Sequence, residues 1–190
     1  FDDILYLINY EECTACIIGS KGNLLEITIP RSIKHESKEY LVTSILENAF
    51  ENSQIEFVQF ASDSKLQTIE KNAFSRSNIN YIAIPSSVTS IGEGAFSCCR
   101  QLEMIEIPDD SKLRTIDKKA FDDTIIEEIK IPSELVDLKE GWCYGTENLA
   151  KIAVSPKNPR YFCYENKMII GKTRIEQNNY DCLVFCVRNI

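Results

Sequence analysis

A single motif repeats along the chain at intervals of 22 to 25 residues, and this periodicity constrains the fold more than any other feature. Each copy reads Ile-x-x-x-Ala-Phe, then a small polar residue, then Ile/Leu-x-x-Ile-x-Ile. The copies begin at Ile45, Ile69, Ile91, Ile116 and, in degraded form, Leu138. A unit of this length cannot bury its apolar face alone, so neighbouring units stack. The sequence therefore predicts a solenoid with one continuous core.

The second half of the motif predicts the strands of that solenoid. Ile/Leu-x-x-Ile-x-Ile is the strand signature of leucine-rich repeats, and its last two apolar residues point inward and alternate with outward ones. Pro85, Pro108 and Pro132 directly follow three of these strands and end them, because proline cannot donate a ladder hydrogen bond. The predicted strands lie near residues 57–60, 81–84, 104–107, 128–131 and 151–154. We expect them to form one parallel β-sheet in a right-handed leucine-rich-repeat solenoid.

The residues between two strands predict how the chain returns. Residues 86–91 are β-prone and should form a short opposing strand, followed by a tight turn or single helical turn near residues 92–96. Phenylalanine should fill the axis, while alanine packs where the backbones run close. The expected axis residues are Phe50, Phe74, Phe96 and Phe121, with Trp142-Cys143 replacing Ala-Phe in the last copy. The small polar residue should hydrogen-bond to the backbone in the bend.

Eight cysteines make up only about 4% of the chain, which is below the level typical of a disulfide scaffold. Cys99 occupies the small polar position of its repeat, and Cys143 occupies a phenylalanine position. We therefore predict that both are buried free thiols that pack like small apolar residues. Cys163, Cys182 and Cys186 are close in sequence and could pair in an oxidising compartment, so the sequence leaves their state open.

Departures from the period divide the chain into three regions. Residues 1–42 should contain an N-terminal hairpin that runs into a first repeat strand, and residues 43–154 contain five repeats of about 23 residues. The polar segment 34–39 is predicted to be a hairpin tip. Residues 155–190 should form a C-terminal hairpin module, which includes a buried strand at 183–187. We expect further repeats to follow this module in the native protein.

Charge and apolar patterning exclude two classes of partner. The net charge is −8, and no run of basic residues supplies the concentrated positive face that nucleic-acid binding requires. The apolar run at the N-terminus is too short for a membrane span. We therefore expect neither nucleic-acid binding nor membrane insertion within this segment.

No arrangement of reactive side chains predicts catalysis, a cofactor or a metal. Cys13-x-x-Cys16 is half of a zinc site, but a structural site needs four ligands, and strand neighbours point to opposite faces. His35 is the only histidine and lies in the most polar loop. The paired carboxylates fall in turns or on the outward strand face, where they lack the contrasting environments of an acid–base pair. Phosphate-binding and dinucleotide-binding motifs are absent from the sequence.

The combined motif Ile-x-x-x-Ala-Phe-x-x-Cys/Ser-x-x-Leu-x-x-Ile-x-Ile-Pro resembles the BspA-like leucine-rich repeat family of surface-antigen type. Residues 16–45 look like the N-terminal segment of that family, and residues 155–172 look like its non-repeat insert. Together with residues 180–185, that insert is most similar to members from trichomonad protozoa. The resemblance implies a non-catalytic adhesion protein at the cell surface or secreted, which binds a host or extracellular-matrix protein. An intracellular, cytoplasmic leucine-rich repeat scaffold is the alternative, favoured by the lack of an N-glycosylation sequon.

The outward strand positions are where a partner would bind. Stacked strands lie about 4.8 Å apart, so the third and fifth positions of successive strand patterns form two neighbouring columns. The predicted partner-binding residues are Phe57, Tyr81, Met104, Gln59, Glu106, Glu128, Lys130 and Lys151. We expect Glu128 beside Lys151 and Glu106 beside Lys130. Exposed apolar side chains in a row mark an interaction surface; the alternative is that the end module or a neighbouring chain covers them.

Overall fold

The computed structural model describes residues 3–187, so the outermost residues of the two predicted end regions, 1–2 and 188–190, lie outside it. This part of the chain contains seventeen β-strands and no α-helix. The strands are β1 (Ile4–Asn9), β2 (Thr14–Ser20), β3 (Glu26–Ile29), β4 (Ser32–His35), β5 (Lys38–Ile45), β6 (Phe57–Phe60), β7 (Thr68–Ile69), β8 (Tyr81–Ala83), β9 (Ser90–Ile91), β10 (Met104–Glu106), β11 (Thr115–Ile116), β12 (Glu128–Ile131), β13 (Asp137–Leu138), β14 (Lys151–Val154), β15 (Tyr161–Tyr164), β16 (Met168–Gly171) and β17 (Cys182–Cys186).

The five predicted repeat strands all form, and strand β3 adds a sixth tier before them. Strands β3, β6, β8 and β10 pair in parallel as one sheet, and β12 pairs with β14 as another. The prediction of one uninterrupted sheet was therefore wrong, because the ladder stops between β10 and β12. A backbone hydrogen bond from Ile125 N to Leu102 O, 3.2 Å long, still joins these two tiers just before the strands.

Pairing between the strands of the repeat sheet is uneven. Strands β6 and β8 share a single paired position, and β10 and β12 share no ladder, whereas β8 and β10 pair at three positions. The turn after the strand is two residues longer from Phe60 to Leu66 and from Ile107 to Leu113 than from Ile84 to Val88 or from Ile131 to Leu135. Turn length changes at all three junctions, so it does not by itself decide where pairing is weak.

The predicted short opposing strands form the second side of the solenoid. Strands β5, β7, β9, β11 and β13 pair in parallel in that order. Each pairs a polar residue with a polar residue and an aliphatic residue with an aliphatic residue, as in the row Ile45, Ile69, Ile91, Ile116 and Leu138. All five aliphatic side chains are buried. Strand spacing in the sequence therefore places one β-branched or leucine side chain per tier on this wall of the core.

The axis of the solenoid is a stack of aromatic rings, as predicted. Ring centroids of Phe50, Phe74, Phe96 and Phe121 follow each other at 5.2, 5.4 and 5.5 Å, nearly parallel. Trp142 continues the stack edge-on at 6.2 Å from Phe121. Phe121 N donates to Trp142 O just as Phe96 N donates to Ala120 O, both at 2.8 Å. Trp142 thus stands at an alanine position of the backbone, yet its ring fills the axis.

The turn that carries each phenylalanine is not helical, which corrects the predicted single helical turn. Two residues per repeat have positive φ: the residue before the alanine and the residue two after the phenylalanine. The first set is Asn48, Asn72, Gly94, Lys119 and Gly141, and the second is Asn52, Arg76, Cys98, Asp123 and Gly145. A right-handed helix needs negative φ throughout, so these residues replace it with successive tight turns. Their backbone N–H groups donate to the next tier, as Asn72 N does to Glu93 O at 2.9 Å.

The small polar position lies in the bend, and three of its five side chains donate to backbone carbonyls as predicted. Ser53 Oγ instead is buried without a hydrogen-bond partner among the described residues. Thr124 Oγ1 and Thr146 Oγ1 both donate to Phe121 O, at 3.0 and 2.7 Å. Cys99 Sγ does the same to Phe74 O at 3.0 Å, and it lies 3.4 Å from Ser77 Oγ. Cys99 and Cys143 are both buried, and neither forms a disulfide bond. Burial raises the pKa of Cys99 to about 11.

The N-terminal hairpin differs from the expected one. Strand β2 pairs antiparallel with β1 and parallel with β5, whereas β3 belongs to the opposite sheet. The turn after β2 therefore crosses from one side of the first tier to the other, as in every later repeat, and does not close a β2–β3 hairpin. Strands β4 and β5 form the predicted polar hairpin. Its tip is Glu36 and Ser37, both with positive φ.

The C-terminal module is an antiparallel sheet of β15, β16 and β17. Its inner face buries Tyr161, Ile169 and Val187, and Phe185 contacts Trp142 with ring centroids 5.5 Å apart. The predicted buried strand at 183–187 is only partly buried. Leu183 is 65% exposed, because it pairs with Ile170 in the outward register while Phe185 pairs with buried Ile169.

Candidate partner-binding face

The outward column of the repeat sheet carries three exposed apolar side chains on consecutive tiers. Phe57 is paired with Tyr81 and Tyr81 with Met104 in the parallel register. Their exposed fractions are 47%, 39% and 59%. Val58, Ile82 and Ile105, the next residue of each strand, are buried. The pleat that buries one residue therefore holds its neighbour outward, and the C-terminal module does not cover the column.

Hydrogen bonds fix the polar edges of this column. Tyr81 donates its hydroxyl to Glu106 Oε2 at 2.6 Å, which raises the pKa of Tyr81 because deprotonation would remove the donor beside a carboxylate. Gln59 Nε2 donates to Glu26 Oε1 at 2.9 Å. Both contacts join the third position of one tier to the fifth position of the next. They hold the predicted site residues Gln59 and Glu106 against the aromatic column.

The charged half of the face contains one ion pair between neighbouring tiers. Lys151 Nζ lies 2.8 Å from Glu128 Oε1, at the positions expected to be neighbours. Glu106 and Lys130 line the same groove but form no ion pair, because Lys130 Nζ contacts Asp109 Oδ1 while Glu106 accepts from Tyr81. Among the described residues, Glu26 and Glu106 form no ion pair. The face therefore has a paired charged half and an apolar half with unneutralised carboxylates.

Two grooves open on this face at the two junctions where strand pairing is weak. The groove between β6 and β8 has a volume of about 400 Å³ and is lined by Gln59, Phe60, Tyr81, Ala83 and Pro85 among others. The groove between β10 and β12 has a volume of about 530 Å³ and contains Met104, Ile107, Glu106, Glu128 and Lys130. The two grooves thus lie on either side of the Tyr81–Glu106 hydrogen bond.

The reactive side chains considered from the sequence do not assemble into a metal site. Within residues 3–187, no three His, Cys, Asp or Glu side chains are arranged to hold a metal ion. Cys13 lies in an exposed turn with positive φ, outside the strand that contains Cys16. None of the eight cysteines forms a disulfide bond. His35 contacts Tyr10 and Tyr40, with ring centroids at 6.2 and 6.5 Å. In the described part of the chain, no helix has the length and apolar character to cross a membrane.

The fold and its outward columns define the chain as a leucine-rich repeat solenoid. The sequence model of the BspA type Leucine rich repeat region matches residues 20–150 with six copies. The chain therefore belongs to the BspA-type leucine-rich repeat family. The match starts before β3 and ends just before β14, and its six copies are one more than the five repeats expected at 43–154. A search of curated proteins finds no match.

Solved structures with the same fold come from bacteria. The pneumococcal vaccine antigen PcpA has a TM-score of 0.72 at 20% identity, covering 90% of this chain and 53% of its own. A leucine-rich cell surface protein from Faecalibacterium prausnitzii A2-165 has a TM-score of 0.50 at 20% identity, covering 91% and 57%. A leucine-rich repeat protein from Bacteroides capillosus ATCC 29799 has a TM-score of 0.50 at 24% identity, and the match covers 82% of this chain and 96% of that protein. The chain thus spans a little over half of the first two structures. The expected likeness to trichomonad members stays a prediction.

Sequence reasoning found the columns but missed the grooves. The distance from the last strand residue to the next apolar residue alternates between six residues, as from Phe60 to Leu66, and four, as from Ile84 to Val88. This distance does not single out the open junctions, because it also changes between β8 and β10, which pair at three positions.

Proposed function

We propose that this chain is a non-catalytic protein-binding module of a cell-surface or secreted protein, and that it binds a protein partner through the outward face of the repeat sheet. The observation that carries the proposal is the column of Phe57, Tyr81 and Met104. These side chains are exposed on consecutive tiers, and the packing of the repeat requires no apolar group there. Membership of the BspA-type family and the similarity to PcpA and to a bacterial cell surface protein support the location.

The rigidity of the column makes it suited to binding. Aromatic side chains lose little conformational entropy when they bind, and interface energy is concentrated in such anchors. Phe57 and Tyr81 stand on hydrogen-bonded strands, so their backbone is already ordered before a partner arrives. Preorganisation of this kind reduces the entropic cost of association. Gln59, Glu106, Glu128, Lys130 and Lys151 would form the polar surroundings of the contact.

The proposal is tested by binding of the purified chain to a panel of immobilised extracellular-matrix proteins. A Phe57→Ala/Tyr81→Ala double variant should fold normally, because both side chains lie outside the core, and should lose about 2 kcal/mol or more of binding free energy. Tyr164→Ala is a matched control, since Tyr164 is similarly exposed at 47% on the C-terminal module. Surface plasmon resonance gives the affinities, and circular dichroism checks the fold.

Two results would contradict the sheet-face proposal. One is a double variant that binds every matrix protein as the parent chain does. The other is a loss of binding on substitution in the hairpin tip, residues 34–39, with no effect of the double variant. Exposed charges on the face should change mainly the association rate and its salt dependence.

An intracellular scaffold is the second candidate, and the state of the cysteines favours it. None of the eight forms a disulfide bond, including the exposed Cys13, and unoxidised thiols persist more readily in a reducing compartment. Fractionation of the native source with protease treatment of intact cells separates the two candidates. Cleavage of the protein on intact cells supports the surface location, and protection until lysis supports the intracellular one.

A further inference from the structure

The groove between β10 and β12 differs from the rest of the sheet face in the chemistry of its walls. Its floor and one side are apolar, formed by Met104, Ile105, Ile107 and Pro108. Its rim carries three carboxylates, Glu106, Asp109 and Glu128, and one cation, Lys130. Apolar walls under an acidic rim match a side chain with an aliphatic stem and a positive end.

Pairing within the chain leaves one of these carboxylates without a cation. Lys130 contacts Asp109, and Lys151 contacts Glu128. Glu106 accepts a hydrogen bond from the neutral Tyr81 hydroxyl, and no cationic side chain of the described residues pairs with it. The hydrogen bond restrains the Glu106 carboxylate at the groove. Glu26, at the third position of the first tier, accepts a hydrogen bond from Gln59 at the fifth position of the next tier.

We propose that this groove accepts a lysine or arginine side chain of the partner protein, which places its charged end at Glu106 and its stem against Met104. The inference rests on the sheet-face binding proposed above and specifies the chemistry of the partner: a segment that combines a basic residue with apolar residues. The ring of Tyr81 adds an attractive face for the same cation, and the neighbouring groove between β6 and β8 receives an apolar side chain beside Phe60 and Ala83.

The charge of the whole chain favours the same kind of partner. The net charge is −8, so a basic segment is attracted over longer distances and its association accelerates at low ionic strength. An acidic segment would meet Glu26 and Glu106, neither of which forms an ion pair within the described residues, and like charges in contact disfavour binding strongly. Charge complementarity therefore selects a basic segment over an acidic or neutral one.

The test uses a phage-displayed library of random peptides, selected on the immobilised chain. We expect enrichment of peptides with lysine or arginine next to apolar residues. The strongest peptide is then synthesised and measured by fluorescence polarisation against the parent chain and its variants. Glu106→Gln keeps an acceptor for Tyr81 but removes the charge, so it should weaken binding about tenfold, as expected for loss of a charge-assisted contact. Phe57→Ala/Tyr81→Ala should weaken it about thirtyfold or more.

A matched control separates the local carboxylate from overall charge. Glu140→Gln removes the same charge from an exposed position on the turn side of the solenoid, and it should leave the affinity within twofold of the parent. Unfolding midpoints of all variants confirm that the fold is retained. Raising the salt concentration should weaken peptide binding to the parent more than to Glu106→Gln, because screening acts on the charge pair.

The outcomes distinguish this inference from the proposed function. If the enriched peptides lack basic residues but still need Phe57 and Tyr81 for binding, the assignment of the groove is wrong, while the sheet face remains the binding surface. Equal loss in Glu106→Gln and Glu140→Gln also overturns it, because general attraction then explains the effect. Peptides that bind regardless of Phe57 and Tyr81 overturn both, and a library that yields no peptide overturns the inference about the groove.

Discussion

The repeat stack and the C-terminal module are both built from β-strands, but they pair these strands in opposite ways. In the stack, each tier places its hydrogen bonds and its buried rings against the next tier, so Phe96 is enclosed by Phe74 and Phe121. In the module, the strands pair antiparallel with each other, and only one face reaches the stack. Repetition therefore distributes stability over many equivalent contacts, whereas the module depends on a few particular ones.

The module is joined to the stack by a small set of buried polar contacts. Asn158 Nδ2 donates to Pro132 O and Leu135 O at 2.7 and 2.8 Å, and its Oδ1 accepts from Arg160 N and Tyr161 N at 2.9 and 2.7 Å. The Tyr161 hydroxyl accepts from Leu138 N at 3.0 Å. The last tier thus has its free backbone groups satisfied by side chains of the module, where an inner tier would have a further strand.

Removing a ring from the axis should have the largest effect on stability. Phe96→Ala should lower the free energy of unfolding by about 3–5 kcal/mol, as for other fully buried aromatic residues. Phe162→Ala in the module should cost less than about 1 kcal/mol, since Phe162 is 48% exposed. Urea unfolding followed by circular dichroism measures both. A cost below about 1 kcal/mol for Phe96→Ala would show that its ring does not lie on a packed axis.

Removing the polar contact between the two regions should open the module and leave the stack folded. Asn158→Ala leaves Leu135 O without its side-chain donor and leaves Pro132 O with only the 3.4 Å bond from Leu135 N, a cost of about 2–3 kcal/mol. Amide hydrogen exchange should then accelerate about thirtyfold or more in β15 and β16 and stay unchanged in β8 and β10. The exposed Asn178→Ala is the control. Uniform acceleration in both regions would mean that the chain unfolds as one unit.

The buried thiol of Cys99 should make the stack sensitive to alkaline pH. Its ordinary pKa of 9.0 is raised to about 11 by burial, so between these values the unfolded chain loses the proton and the folded chain keeps it. Stability should therefore fall as pH rises from 9 to 11, by about 1.4 kcal/mol per pH unit relative to Cys99→Ala.

Thiol labelling provides an independent check of the same burial. Cys99 and Cys143 should stay unmodified in the native chain and react fully in denaturant, while the exposed Cys13 reacts in both. If the free energy of unfolding depends on pH in the same way for the parent and Cys99→Ala, the thiol is accessible. Rapid labelling of Cys99 in the native chain would show the same.

The sequence predicted the stack well because its signals are repeated. Phe96 as an axis residue and Ile105 as a core residue were inferred from five copies in register, and the structure confirms both. The same reasoning located Phe57, Tyr81 and Met104 on one outward column. Whether that column binds a protein stays a proposal, because alternation of buried and exposed residues defines a surface and not its partner.

The remaining differences between prediction and structure arise at positions that the shared repeat pattern does not determine. Lys119 and Arg76 adopt positive φ although neither residue type favours it; neighbouring tiers impose it, and the asparagines and glycines at equivalent positions are the visible signal. Lys130 reaches Asp109 instead of Glu106, because a long flexible side chain has several carboxylates within reach. Leu183 faces outward because an irregular register between β16 and β17 shifts the strand.

Site-directed photo-crosslinking compares the two regions most directly as binding surfaces. A photoreactive phenylalanine analogue is placed at position 81 on the sheet face or at position 162 on the module, and each form is incubated with the matrix protein or selected peptide that binds the parent chain. The account predicts covalent adducts from position 81, competed by excess parent chain, and little adduct from position 162. Adducts from position 162 with none from position 81 would contradict the claim that the repeat sheet is the binding face.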